Sequence, residues 1–270
     1  MPHPALRRVG ALLRPHGFEK RLVVLAVAIA AAALAGGVAG GAVVKVEDVV
    51  LRADGGFRPQ TLPKRQFAPI DFHGQLDISS RTGGRPARLE QALIDFDRDG
   101  RLSVGGLPTC APEAIDEVGT EEARRVCRGA IVGTGKIGTY VDFLDRGPVE
   151  SESPLTVFNG PRNAAGQPTA VIHTQIAAPA TQTYAITVPI EQRRGAYRYR
   201  AHLDVPPIAG GFGAITHLEV MIGRRYRAGD RQRSYASARC SDNILQTHGR
   251  FTFEGGTVVD GVVERYCRSK

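Results

Sequence analysis

The sequence predicts a mainly β protein: an antiparallel β-sandwich, one large or two packed, with a single short helix between Cys110 and Cys127. Three observations predict it. Apolar and polar residues alternate with period two in run after run beyond residue 45. Gly- and Pro-rich turn signals separate those runs. Four cysteines follow a leader that reads as an export signal, so disulfides are available to hold a loop-rich body.

The leader comes first. Residues 1–21 carry Arg7, Arg8, Arg14, Lys20 and Arg21 against Glu19, which is half of the chain's formal charge of +8. From Leu22 to Val44 no residue is charged, and small residues occupy Ala33, Ala35, Ala39 and Gly41. A basic start, an apolar run and small residues spell a signal peptide. Left uncut, the same run is long enough to act as an N-terminal membrane anchor. Residues 1–44 are therefore the leader and residues 45–270 the exported β-sandwich region, secreted or held at the cell surface. What remains of the positive charge is too little to mark nucleic-acid binding.

With 270 residues and 42% hydrophobic content the chain can bury a sizeable core. In "IDFHGQLDI" (70–78), Ile70, Phe72, Leu76 and Ile78 share one face and Asp71, His73, Gln75 and Asp77 the other. In "YRYRAHLDV" (197–205), Tyr197, Tyr199, Leu203 and Val205 oppose Arg198, Arg200, His202 and Asp204. Residues 137–143, 215–222 and 251–254 behave similarly, as strands with one wet face require. "DGGF" at 54, "TGGRP" at 82, "NGP" at 159, "PPIAGG" at 206, "AGD" at 228 and "EGG" at 254 supply the turns. Between Cys110 and Cys127, Thr120 reads as an N-cap, Glu121 and Glu122 as an acidic first turn, and Arg124 and Arg125 as a basic last turn. Exported cysteines in even number favour two disulfides, and local pairing, Cys110–Cys127 and Cys240–Cys267, closes the shortest loops. Each such loop is worth roughly 3 kcal/mol in chain entropy. No CxxC pair and no His beside a Cys at ligand spacing points to zinc.

Several words recur as a set: "GLPTC" (106–110), Cys127 with "GAIVGTG" (129–135), "SPLTVFNG" (153–160), "VPPIAGG" (205–211), "SYASARC" (234–240) and "HGRFTFEGGTVVDG" (248–261). In these words the chain resembles an uncharacterised family of exported proteins from high-GC Gram-positive bacteria. The resemblance spans nearly all of the region after the leader. It implies export, disulfides and an all-β body, and it supplies no activity and no catalytic residue.

"DFDRDGRLS" (95–103) is the stretch closest to a metal motif. Asp95, Asp97, Asp99, the carbonyl of Arg101 and Ser103 fall where a calcium loop takes ligands, with Gly100 at its turn. Gly106 stands where the bidentate carboxylate belongs. The other reading is a hairpin: Asp95 and Asp97 point to water, "DRDG" makes the turn, and no cofactor is held. "GTGKIG" (133–138) matches GxGxxG, but a strand pattern follows it where a nucleotide fold needs a helix, so its glycines belong to a closely packed strand. His73, His202 and His217 lie on polar strand faces, without HExxH or GxSxG. "GRRYRAGDRQRSYASAR" (223–239) sets Arg224, Arg225, Arg227, Arg231 and Arg233 around Tyr226. Arg forks of this kind suit the phosphates or carboxylates of an anionic envelope polymer or lipid headgroup. The bias to Arg over Lys runs along the whole chain, 30 against 5, so part of the clustering is composition.

These observations favour an exported, disulfide-bonded, non-enzymatic envelope or extracellular protein that binds an anionic surface component. An extracellular hydrolase without a recognisable motif and a calcium-stabilised adhesion module are the alternatives. The only membrane contact expected is through residues 22–44, if they are retained.

Overall fold

The computed structural model describes residues 41–143 and 146–270. Most of the leader, residues 1–40, lies outside the described residues, so neither the signal nor the anchor reading is addressed by the fold. Among the described residues no helix is long and apolar enough to cross a membrane.

Strands β1 (Ala42–Val46), β2 (Val49–Arg58), β3 (Thr61–Leu62), β4 (Ala68–Pro69) and β5 (Asp71–Ser80) come first. β6 (Leu89–Asp97) and β7 (Gly100–Leu102) flank the Asp-rich turn, and helix α1 (Thr120–Val126) follows. Next are β8 (Ile131–Phe143), β9 (Arg146–Gly160), β10 (Thr169–Ile176), β11 (Gln182–Gln192), β12 (Tyr197–Asp204) and β13 (Gly213–Ile222). The last are β14 (Arg225–Ala228), β15 (Arg231–Ser234), β16 (Ala236–Ala238), β17 (Ile244–Phe253), β18 (Val258–Tyr266) and β19 (Arg268–Ser269). β1 begins inside the uncharged run and pairs in full with β2, so the folded body starts before the expected boundary at residue 45.

Twelve strands form one antiparallel sheet in the order β1-β2-β5-β13-β8-β9-β10-β11-β12-β6-β17-β18. The sheet curls until β1 lies against β18. No ladder joins these two edges; side chains do. Thr257 donates to Glu47 at 2.6 Å, Arg265 pairs with Asp54, and Val44 and Ala42 face Gly261. The hydrogen-bonded unit is thus a single curled sheet. Its concave face is the core, where Leu51, Ile78, Leu89, Leu155, Phe253 and Val259 from distant strands meet. The alternation expected for 70–78 holds in β5: Leu76 and Ile78 are buried while His73 and Gln75 are exposed. Gly133 and Gly135 of "GTGKIG" sit in β8 where it pairs with β13. A Cβ at Gly135 would lie 1.9 Å from the Glu219 carbonyl oxygen, so close strand approach is what the glycines serve.

Two small satellite cores sit outside this one, and each is built on a disulfide. The first joins Cys110 and Cys127 and packs Cys110, Ile115 and Ala123 on Phe158 and Val171. β9 and β10 are therefore covered on both faces, which is why "LTVFN" is buried throughout and "TAVIHT" at every residue but Ile172. The short helix is present with its acidic first and basic last turns. Its N-cap, however, is Gly119 and not Thr120. Thr120 is the first helical residue, and its hydroxyl is buried without a partner. Arg124 ties the helix to the sheet by donating from Nε to Thr156 at 2.8 Å. The second satellite joins Cys240 to Cys267 and packs both against Phe57, Leu62 and Ile70. Both local pairings match the expectation.

His173, fully buried on β10, holds the first satellite in place. Its Nε2 faces the carbonyl oxygens of Ile115 and Val118 at 3.0 and 3.1 Å, so that nitrogen carries the proton and Nδ1 is bare. Burial pushes the imidazole below its ordinary value and outweighs the two carbonyl contacts. The unfolded chain protonates this ring near pH 6.5 while the folded chain resists, so stability is complete above that pH and declines below it. Urea midpoints at pH 7 and pH 5 should fall further for the wild type than for His173→Gln. Equal slopes in the two proteins would remove His173 from the acid response.

Candidate functional site

The outer face of β12, β6, β17 and β18 carries a connected cluster of charged side chains. β6 is the middle strand, and its register sets Asp95 opposite Arg200 of β12 and opposite His248 of β17. Arg200 donates from Nε and Nη2 to the two oxygens of Asp95, at 2.8 and 2.7 Å, a bidentate fork. His248 places Nδ1 3.2 Å from Asp95 and Nε2 against Asp260, whose other oxygen accepts from Arg250 Nε at 2.7 Å. Both of those His248 contacts are hydrogen bonds only when the ring carries two protons. Burial raises Asp95 and Asp260, but the hydrogen bonds and charges of Arg200, His248 and Arg250 outweigh it, so both carboxyls lie below the usual range.

Asp95 is only 3% exposed, so the expectation that it points to water is corrected. The expected hairpin is corrected too. The chain does turn at Arg98–Asp99, but β6 pairs with β12 and β17 whereas β7 leaves for a separate three-stranded sheet, β4-β16-β7. Asp97 caps that turn: Oδ1 accepts the Asp99 N–H at 2.8 Å and Oδ2 the Gln246 N–H at 3.0 Å. Its burial outweighs those amides and lifts its carboxyl above the usual range. Asp99, 0% exposed, accepts from Arg239 Nε at 2.7 Å and from the Ser241 N–H at 2.8 Å. Burial raises Asp99 as well, but these bonds and the Arg239 charge hold it low. Ser103 hydrogen-bonds through its backbone, to the carbonyl of Tyr235 and from the hydroxyl of Tyr226. The three carboxylates are therefore engaged separately: Asp95 by side chains of β12 and β17, Asp97 by backbone amides of the turn and β17, and Asp99 by Arg239 and Ser241. Among the described residues no group of three or more His, Cys, Asp or Glu side chains is arranged to hold a metal ion.

A bulge between Tyr197 and Tyr199 alters the expected sidedness of β12. Tyr199 stays with Ala201 and Leu203 against the core, while Tyr197 pairs with Asp97 and lies over the polar cluster, 5.9 Å from the His248 ring. Burial and the charges of Asp95 and Asp97 raise its phenol. Beside it, Arg198 belongs to a second group. The guanidinium carbons of Arg101, Arg198 and Arg239 lie 5.5, 5.5 and 5.3 Å from the centroid of the Phe67 ring.

The arginines of 223–239 form a separate ribbon, β14 paired with β15. Arg225 and Arg227 share one face. Arg231 and Arg233 share the other with Tyr226, whose hydroxyl donates to the Ser103 and Gly105 carbonyls. The four arginines within the ribbon are thus near in sequence but divided between two faces, and Arg224 precedes it. Arg225 reaches Asp71 at 3.3 Å, Arg224 keeps a buried Nε without a partner, and Arg227, Arg231 and Arg233 are exposed and in no ion pair among the described residues.

The three histidines singled out in the sequence are not brought together. His202 meets Asp204 on β12 at 3.1 Å, and His217 of β13 meets Asp77 of β5 at 2.7 Å. His73 lines a shallow groove of about 450 Å³ with Asp54, Phe57, Gln60 and Arg265, where no lining side chain offers a hydroxyl. The sequence reading missed His248, Arg200, Asp260 and the Phe67 group. Only one signal for them was available, the alternate-residue charges of "YRYRAH" and "HGR", which mark a wet face without saying what it meets. No protein-family model matches the chain, and neither a curated protein nor a solved structure is significantly similar to it.

Because Asp95, Asp99 and Asp260 are held low, they stabilise the fold above the unfolded carboxylate range near pH 4, and that stability is lost as pH falls through their folded values. Asp97, held high, works weakly against them. Asp99→Asn should cost about 2–4 kcal/mol in urea unfolding at pH 7 and flatten the acid limb below pH 4. An unfolding midpoint within error of wild type would show that the turn carries no structural load. Millimolar calcium after EDTA should leave the thermal midpoint in place. A rise abolished by Asp97→Ala would establish the metal reading.

Proposed function

We propose that the chain is an exported, non-enzymatic protein of the cell envelope or extracellular space that binds an anionic surface component. We read the curled sheet as a two-layer, sandwich-type body, and the ribbon β14–β15 as the part that meets the partner. One observation carries this reading: Arg227, Arg231 and Arg233 are exposed on a ribbon whose Tyr226 is buried and tethered to the Ser103 and Gly105 carbonyls. The anchored Tyr226 fixes the ribbon, and the cations are left to the solvent. The paired disulfides are compatible with an oxidising compartment outside the cytosol. The scattered histidines favour binding over turnover.

The test compares the full chain with its Arg227→Gln/Arg231→Gln/Arg233→Gln variant on phosphatidylglycerol and on phosphatidylcholine vesicles. Using the full chain in both arms cancels any contribution from residues 22–44. Each arginine near an anionic surface is worth about 1 kcal/mol, so the variant should bind phosphatidylglycerol about a hundredfold more weakly. The difference should shrink as salt shortens the Debye length. Equal binding by wild type and variant, or binding indifferent to lipid charge, overturns the ribbon as the contact.

A further inference from the structure

We propose that Phe67, Arg101, Arg198 and Arg239 form a binding site for a single phosphate or phosphodiester group, distinct from the ribbon. Three guanidinium groups surround one aromatic ring at 5.3–5.5 Å, close enough for each to feel its π face. Any two of them are no further apart than twice that distance, so three like charges are concentrated in one place. Something must hold them there, and the hydrogen bonds say what. Arg239 gives its Nε to Asp99, and Arg198 gives its Nε to the backbone carbonyl of Arg98 at 2.8 Å. In both side chains the inner nitrogen is occupied. The two terminal nitrogens have no protein acceptor among the described residues.

Counter-charge is short in the same place. Asp99 is matched by Arg239, and Asp242 by Arg98 at 2.9 Å. Asp97 is occupied by two backbone amides. Arg101 and Arg198 therefore have no acidic partner among the described residues, and Lys64 and Arg65 precede Phe67 in the chain. The site is pre-organised for an anion: Arg198 and Arg239 are positioned by bonds that leave their outward donors free, and Arg101 rests on the Phe67 ring. The number of donors selects the anion. One arginine fork already satisfies the two oxygens of a carboxylate, whereas three forks match the larger set of acceptors around phosphorus. Phe67 adds an apolar platform against which a glycerol or sugar carbon next to the phosphate can rest.

Equilibrium dialysis of the oxidised full chain at constant ionic strength tests this with two probes, inorganic phosphate and glycerophosphoglycerol, the deacylated form of a lipid headgroup. The expected result is saturable binding of one equivalent. It should be weakened about tenfold by Arg101→Gln and again by Arg198→Gln, and unchanged by Arg227→Gln on the ribbon. Arg101 is exposed and makes no hydrogen bond with its guanidinium among the described residues, so its variant keeps the fold and the test does not hinge on stability. Preference for glycerophosphoglycerol assigns the site to a phosphodiester headgroup or polymer; preference for inorganic phosphate assigns it to free or terminal phosphate. Failure of wild type to bind either probe, or wild-type affinity in both the Arg101→Gln and Arg198→Gln variants, overturns the proposal. Loss of binding on Arg227→Gln alone would overturn it too, while leaving the ribbon reading intact.

Discussion

A fully buried carboxylate is the constraint on which this surface is organised. Asp99 has no access to water, and an ionised group so placed is tolerated only when it is paired and hydrogen-bonded. Its partners come from one distant segment, Arg239 and Ser241, which flank Cys240. Satisfying one side chain therefore fixes where the second disulfide lies relative to the turn after β6. The same bond fixes Arg239 over Phe67. Asp95 and Asp97 extend the arrangement outward, the first to Arg200 and His248, the second to the backbone of β17. Five residues, Asp95 to Asp99, thus link β12, β6, β17 and the chain around Cys240.

The disulfides make physical sense beside the sizes of the cores they serve. The central core draws apolar residues from around the curled sheet and needs no covalent help. Each satellite has about half a dozen fully buried apolar residues, too few to offset the entropy of ordering the excursion that carries them. A cross-link over 17 or 27 residues removes much of that entropy from the unfolded chain. His173 adds a directional restraint to the first satellite, since a single N–H shared between two carbonyls accepts only one placement of the loop.

What was legible in the sequence follows the distance over which each signal acts. Alternation in 70–78, the polarity of the short helix and the local cysteine pairs are properties of neighbouring residues, and they emerge as read. Thr120 was misread because Gly119 supplies the extended cap and Thr120 is drawn inward to pack. Tyr197 was misread because one bulged residue reverses the sidedness of everything before it, and a bulge leaves no mark in a run of alternating Tyr and Arg. The aspartate spacing was ambiguous for a deeper reason. Carboxylates on alternate residues are what a metal loop requires, and equally what a middle strand requires when its outer face meets Arg and His on both sides. The two cases differ only in the neighbours. β6 leaves β5 for the far side of the sheet, so those neighbours come from residues 198–200 and 239–250, remote in the chain.

The arginines show how one side chain can serve the fold and the surface together. Nε lies nearest the backbone and bonds inward, while the terminal nitrogens remain at the surface; lysine, with a single nitrogen, has no such division. Arg198 and Arg239 use it fully, giving Nε to the protein and their forks to the solvent. Where the charge is left over follows from this. Half of the formal +8 belongs to the leader, and the other half equals what Arg101, Arg198, Arg227, Arg231 and Arg233 contribute when set against Asp230. The remainder of the folded chain is neutral on balance. At the Phe67 group, Arg198 and Arg239 keep their cationic forks at the surface although each gives its Nε to the protein.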